Sequence, residues 1–196
     1  KKSSSLHPEK MAVVGAGLVG SLWALMLAQR GHQVDVYERR SDPRIGPAKG
    51  GRSINLALSD RGWRALEKAG ISEEVRKIAL PIEGRLMHAI DGTLTFQRYG
   101  LPGAPGLHGD PQCIYSVSRA NLNRLLVESA ENHADVNFHF GQKCVHADFQ
   151  KANLTLEKQS GATDVVSYNR VFGTDGAFSA VRDRMMRSDR FNFEQR

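Results

Sequence analysis

The chain has 196 residues, 40% of them hydrophobic, with 27 Lys and Arg against 21 Asp and Glu for a net charge of +6. That length suits one domain or one and a half around a packed core, and the absence of any run of eighteen apolar residues excludes a membrane-spanning helix within it. The basic residues are dispersed, and their densest run, RDRMMRSDR (182–190), is interleaved with aspartates, which predicts a solvated helix face and a general pull on anionic cofactors and acids, with no nucleic-acid partner.

The opening KKSSSLHPEK has lysines but no apolar core or cleavage site, so residues 1–9 read as a disordered leader and not a signal peptide. KMAVV (10–14) is a short apolar run ending at glycine, as a buried parallel strand should be. Leu18 to Arg30 predicts a helix with Leu22, Leu25 and Met26 on one face and Gly31 as its stop, and QVDVYE (33–38) a second strand. These three form a βαβ unit, the minimum that seats a dinucleotide. A Pro/Gly-rich loop follows (41–51), then RSINLAL, a helix over 59–68 closed by Gly70, and another over 72–78.

RLMHAI and TLTFQRY predict two strands turning at Asp91-Gly92, and 100–111 is a turn-rich stretch. From Ser118 the helical period returns, with Leu122, Leu125, Leu126 and Ala130 on one face. VNFHF (136–140), CVHADF (144–149), NLTLEK (153–158) and VVSYN (165–169) are strand-length runs, the last three an antiparallel meander. RVFGTDGAFSAVR closes as a strand, a glycine turn and a helix, and no internal repeat is present. The order predicts an α/β fold around a dinucleotide-binding unit with an inserted sheet.

Gly15, Gly17 and Gly20 make G-x-G-x-x-G between the first strand and the first helix. The first glycine permits a tight turn, the second lets backbone approach a pyrophosphate, and the third allows helix and strand to pack closely. The phosphates then meet free N–H groups at a helix N-terminus. Glu38 ends the second strand at the spacing where an acid binds ribose hydroxyls, and its charge repels a 2′-phosphate, so the site favours FAD or NAD over NADP. Arg39 or Arg40 reaches the adenine side or faces water. A second turn at Asp175-Gly176 separates the two cofactors, because an NAD domain has no need of it; the plainer alternative is an ordinary Asp-Gly turn. Cys113 and Cys144 are isolated, and no histidine pair has ligand spacing, so no disulfide framework or metal is expected and a reducing, cytoplasmic setting fits.

GAGLVG, YERR, GRSINLAL (51–58), GRLMH, the Tyr99-Gly100 pair, SVSRANLN and GTDGAFSAVR, in that order, resemble the amino-terminal half of the kynurenine 3-monooxygenase family, among the single-component FAD aromatic hydroxylases related to p-hydroxybenzoate hydroxylase. The resemblance runs from about Lys10 to Arg196, and GRSINLAL is its most specific part. It implies an FAD-binding, Rossmann-like three-layer fold of the glutathione-reductase and p-hydroxybenzoate-hydroxylase type, with an antiparallel meander and part of a substrate-domain sheet. Residues 10–80 and 112–190 would form the FAD-binding domain and 81–111 an inserted substrate-side hairpin and loop.

By the same resemblance Gly15, Gly17, Gly20 and Glu38 hold the ADP half of FAD, with Arg40 beside them. Ala57 lies by the flavin with Asn55 behind it, and Arg119 meets the phosphate-ribose region. Cys144, opening the first meander strand, meets the adenine side through its backbone, and Asp175 bonds the cofactor's linker. Arg85 and Tyr99 would clamp the carboxylate of L-kynurenine; a guanidinium fork suits a carboxylate and a phenol adds a directional bond. Without the resemblance Arg85 is a surface strand charge and Tyr99 a hairpin-edge aromatic.

The implied reaction hydroxylates the substrate ring at its 3-position with NADPH and O₂, and the protein positions and shields while the cofactor carries the chemistry, so no side chain is expected to act as acid, base or nucleophile. The family's later G-D-A-A-H-A and G-Q-G-M-N-A-G segments and its carboxy-terminal helical region are absent here, so these residues alone are not expected to turn over, and any membrane anchor would lie outside them. The rivals are an FAD hydroxylase for another aromatic acid and a non-catalytic nucleotide-fold binding module. An NAD-linked dehydrogenase is disfavoured by the lack of a second βαβ half and of an acid-base pair.

Overall fold

The computed structural model describes residues 7–45, 55–101, 103 and 112–187. Most of the leader, much of the Pro/Gly-rich loop with the start of GRSINLAL, most of 100–111 and the closing segment from 188 lie outside the described residues. In chain order the elements are β1 (Lys10–Val14), α1 (Leu18–Ala28), β2 (Gln33–Glu38), β3 (Asn55–Leu58), α2 (Asp60–Lys68), α3 (Ser72–Arg76), β4 (Leu80–Ile82), β5 (Gly84–His88), β6 (Leu94–Arg98), β7 (Ile114–Ser118), α4 (Arg119–Glu131), β8 (Val136–Phe140), β9 (Gln142–Asp148), β10 (Asn153–Lys158), β11 (Thr163–Ser167), β12 (Arg170–Gly173) and α5 (Ala180–Met186). Among the described residues no helix is long and apolar enough to cross a membrane.

The chain divides into two compact units, residues 1–48 with 126–196, and residues 49–125, so the boundary falls inside α4.

In the first unit β12, β1, β2 and β8 lie side by side, all parallel. Met11 to Val14 are buried without alternation, as happens when both faces of a parallel strand are covered. The alternate side chains of β1 explain the layers. Ala12 and Val14 join Tyr37 in a cluster with Cys144, Ala147, Leu154 and Leu156 of the meander and Val181 of α5. The other face is covered by α1, which packs on β1 and β2 and buries Ala24, Leu25 and Ala28. The result is helix, parallel sheet and meander in three layers. Helix α1 stops at Ala28, short of Arg30, because Gln29 caps it and Gly31 turns the chain at φ +83°.

The meander is antiparallel in the order β11-β10-β9, with a bulge at Thr155/Leu156. A polar network sits at the edge of its core. The Tyr168 hydroxyl donates to Asp35 Oδ2 at 2.8 Å, the Tyr37 and Tyr168 hydroxyls share a 2.6 Å bond, and His139 Nε2 lies 2.9 Å from Asp35 Oδ1. Burial opposes ionisation of Asp35, but the His139 and Tyr168 bonds and the Lys10 charge outweigh it and bring its pKa down to about 2.

In the second unit β7 is the central strand of a three-stranded antiparallel sheet, between β3 and β4. The sequence reading assigned neither β7 nor β4. In β7, Tyr115 and Val117 are buried while their neighbours are half-buried, a period-two signal whose meaning depends on pairing with distant segments. Pro81 sits in β4, where an edge strand tolerates the missing N–H. Trp63 of α2 packs edge-to-face on Tyr115 at 5.0 Å, beside buried Leu66, Ile71 and Val75. Strands β5 and β6 form a separate hairpin, turned at Gly92 (φ +86°) as its Asp-Gly signature predicts.

Candidate functional site

The β1-α1 turn is built by backbone needs that only glycine meets. Gly15 adopts φ +101°, and a Cβ there would meet the Thr174 carbonyl oxygen at 2.7 Å and Asp175 Cα at 2.8 Å. A Cβ on Gly20 would lie 1.8 Å from the Gly15 carbonyl oxygen and 2.6 Å from Thr174 Oγ1. Gly17, which precedes the first turn of α1, differs: a Cβ there would meet nothing within 4 Å. The first and third glycines are therefore required by this chain's own atoms. The second faces open space at a helix N-terminus, where a pyrophosphate fits.

Glu38, buried at the end of β2, is tied to this turn. Its Oε2 accepts from the Ala16 N–H at 3.1 Å and from Arg40 Nη2 at 3.3 Å, and its Oε1 accepts from the Arg40 N–H and Nε, both at 2.9 Å. Burial alone would raise its pKa, but the Arg40 bonds and charge, with the Ala16 N–H, outweigh that and hold it below the usual glutamate value. The exposed Arg40 is thus the counter-ion of Glu38.

The second turn closes on the first. Thr174 N–H donates to the Val14 carbonyl at 2.8 Å. Asp175 uses both carboxylate oxygens on the start of α5, accepting from Ser179 Oγ on one side and from the Ala180 N–H, 2.7 Å away, on the other. Its carboxylate thus braces the start of α5 ahead of the N-cap Ser179, and Gly176 (φ +81°) follows it in the turn.

Cys144 does not open the meander strand. That strand begins at Gln142, and Cys144 pairs with Leu156 inside it, its thiol buried in the core between sheet and meander. Burial, with the nearby Asp175 charge, pushes the thiol up to about 11. Any contact it makes with a ligand is through its backbone.

In the second unit, pairing sets Asn55 opposite Ser118 and Ala57 opposite Ser116. Ala57 is exposed on β3, and the exposed Arg119 follows β7 directly, opening α4. On the hairpin, Arg85 pairs with Gln97, and the Tyr99 N–H donates to the Glu83 carbonyl, extending the ladder by one more pair. Strand alternation then places Arg85 and Gln97 on one face and Leu86 and Phe96 on the other, with Tyr99 just past the end of β6. Arg85 Nε donates to Gln97 Oε1 at 2.8 Å, leaving the two terminal nitrogens of the fork for an anion.

The sequence reading missed Thr174, Gln97 and Ala16. Gln97 could have been found from the register of the Asp-Gly hairpin. Thr174 lies within the GTDGAFSAVR motif, but its bond to Gly15, 159 residues away, leaves no trace in local pattern.

Similarity to known proteins agrees with this geometry. The chain is 47% identical over 188 residues to a kynurenine 3-monooxygenase of Flavobacterium psychrophilum, covering 95% of this chain and 40% of that protein. It is 44% identical to one of Christiangramia forsetii (94% and 39%) and 38% identical to one of Anopheles gambiae (96% and 38%). It thus spans about two fifths of these relatives' length. Among solved structures, a tetrameric 2-methyl-3-hydroxypyridine-5-carboxylic acid oxygenase superposes with a TM-score of 0.72 at 24% identity, over 92% of this chain and 43% of the other. A p-nitrophenol 4-monooxygenase from Pseudomonas putida gives 0.73 at 23% (91% and 43%). At such identities the likeness is one of fold. The model of the FAD binding domain matches residues 9–192, nearly all of the described chain, and the protein belongs to that family.

Proposed function

We propose that this chain serves an FAD-dependent monooxygenase that hydroxylates L-kynurenine to 3-hydroxykynurenine with NADPH and O₂. The observation that carries the reading is the match to kynurenine 3-monooxygenases over 94–96% of this chain; Arg85 on the hairpin and Tyr99 just past its second strand are the residues the resemblance gives to the substrate. A guanidinium fork beside a phenol suits an amino-acid carboxylate.

FAD, when bound, supplies electron transfer from NADPH and the activation of O₂. The residues described here bind and orient. The open side of Gly17 and the first N–H groups of α1 would receive the pyrophosphate. Glu38 would accept from the adenosine ribose once the exposed Arg40 side chain moves aside, because its four acceptor positions are otherwise taken by Ala16 and Arg40. By the family resemblance Ala57 and Arg119 would contact the cofactor, the Cys144 backbone would meet its adenine side and the Asp175 turn its linker. The hairpin at 81–111 would form the substrate side, with 10–80 and 112–190 as the FAD-binding part. The length of the relatives that this chain does not match would complete the flavin site. A cytoplasmic setting is supported by two free cysteines.

The test is the visible absorption spectrum of the full-length protein, followed by stopped-flow NADPH oxidation with and without L-kynurenine. A flavin band and reduction that quickens with kynurenine support the proposal. A colourless protein that takes up no added FAD overturns it. A yellow protein indifferent to kynurenine moves the substrate to another aromatic acid.

A further inference from the structure

The peptide joining Gly15 to Ala16 is held at both ends. Its carbonyl, on Gly15, accepts from Thr174 Oγ1 at 2.9 Å, and its N–H, on Ala16, donates to Glu38 Oε2 at 3.1 Å. A trans peptide points these two groups in opposite directions, so the two bonds act as clamps on either side of one plane. The Thr174 hydroxyl also lies 2.8 Å from the Val14 carbonyl, and its single proton is shared between the two oxygens.

The clamp matters because of where it sits. Gly15 has φ +101°, and a glycine passes between positive and negative φ at little cost. Left free, this peptide could rotate, turning the Gly15 carbonyl toward the Glu38 carboxylate and unmaking the turn that leads into Gly17 and α1. Gly20 belongs to the same device, since a Cβ there would run into the Gly15 oxygen and Thr174 Oγ1 together. The third glycine of the motif makes room for this hydrogen bond as well as for helix packing.

We propose that Thr174 is a positioning residue for the cofactor: its hydroxyl, opposed by Glu38, locks the Gly15-Ala16 peptide and so holds the turn that presents Gly17 and the start of α1 to the pyrophosphate before FAD arrives. The inference rests on the FAD reading above. Pre-organisation of this kind strengthens binding by removing an ordering cost.

The experiment measures FAD affinity of the full-length apoprotein by quenching of flavin fluorescence, for wild type, Thr174→Val and Thr174→Ser. Valine keeps the shape and removes the donor; serine keeps the donor. Loss of one neutral hydrogen bond corresponds to a weakening of about three- to tenfold for Thr174→Val, with Thr174→Ser within about twofold of wild type. Equal affinity for wild type and Thr174→Val overturns the proposal, as does equal weakening in both variants, while the FAD reading survives either result. A wild-type protein that takes up no FAD overturns both. Hydrogen exchange in the cofactor-free wild-type protein needs no variant: the Ala16 amide is expected to be protected, and an Ala16 amide that exchanges as fast as an open loop overturns the clamp.

Discussion

Glu38 accepts four hydrogen bonds in a buried position, so its loss is felt in both binding and folding. Glu38→Gln is expected to lower stability at pH 7 by about 1–3 kcal/mol, because a buried N–H and a guanidinium lose their best acceptor, and to weaken FAD binding. The pH dependence has a definite sign. The folded pKa lies below the unfolded value of 4.5, so the carboxylate's contribution is complete above that pH and is lost as pH falls through the lower folded value. Melting temperatures of wild type and Glu38→Gln should therefore converge in acid. The cysteines offer a second check. Cys144 is buried with its pKa near 11, whereas Cys113 is half-buried, so a thiol reagent at pH 8 should label Cys113 first and Cys144 only on unfolding.

Among the elements, the β1-α1 junction and the β5-β6 hairpin carry opposite kinds of constraint. Gly20→Ala forces a Cβ to within 1.8 Å of a carbonyl oxygen, and no flexible side chain can yield there. It should abolish FAD uptake and lower the melting temperature, whereas Gly17→Ala, with open space around its Cβ, should fold normally and lose affinity only. Calorimetry and flavin titration separate the two. The hairpin is exposed, so Arg85→Lys should leave folding untouched while raising KM for kynurenine about tenfold or more, as the planar fork is replaced by a point charge. Both junctions were legible in the sequence, through glycine spacing and the Asp-Gly turn. Strands β4 and β7 were not, since a three-residue strand containing Pro81 and a strand flanked by turn-rich sequence acquire their identity from partners far along the chain.

In the whole molecule, the turns at Gly15 and Glu38 rest on the core between parallel sheet and meander. Leu154 and Leu156 are buried against Ala12, Val14 and Tyr37, beneath the strands that end at Gly15 and Glu38. Leu154→Ala should cost about 2–5 kcal/mol of stability, seen as a shifted urea midpoint. FAD affinity should fall only under conditions where the folded population falls, which distinguishes it from Thr174→Val.

The sequence by itself determined the βαβ unit, the antiparallel meander, the Asp-Gly hairpin and the glycine turn, because each depends on local periodicity or on a conformation that few residues allow. It also carried, through motifs spread along the chain, the resemblance that points to FAD and kynurenine. Only the tertiary structure decided that Gly20 faces the Gly15 oxygen and Thr174 together, that Glu38 is already paired with Arg40, that the Asp175 carboxylate accepts from the start of α5, and that the Cys144 thiol is core. Those outcomes depend on hydrogen bonds and packing between residues as much as 159 positions apart, and local pattern does not encode distances of that kind.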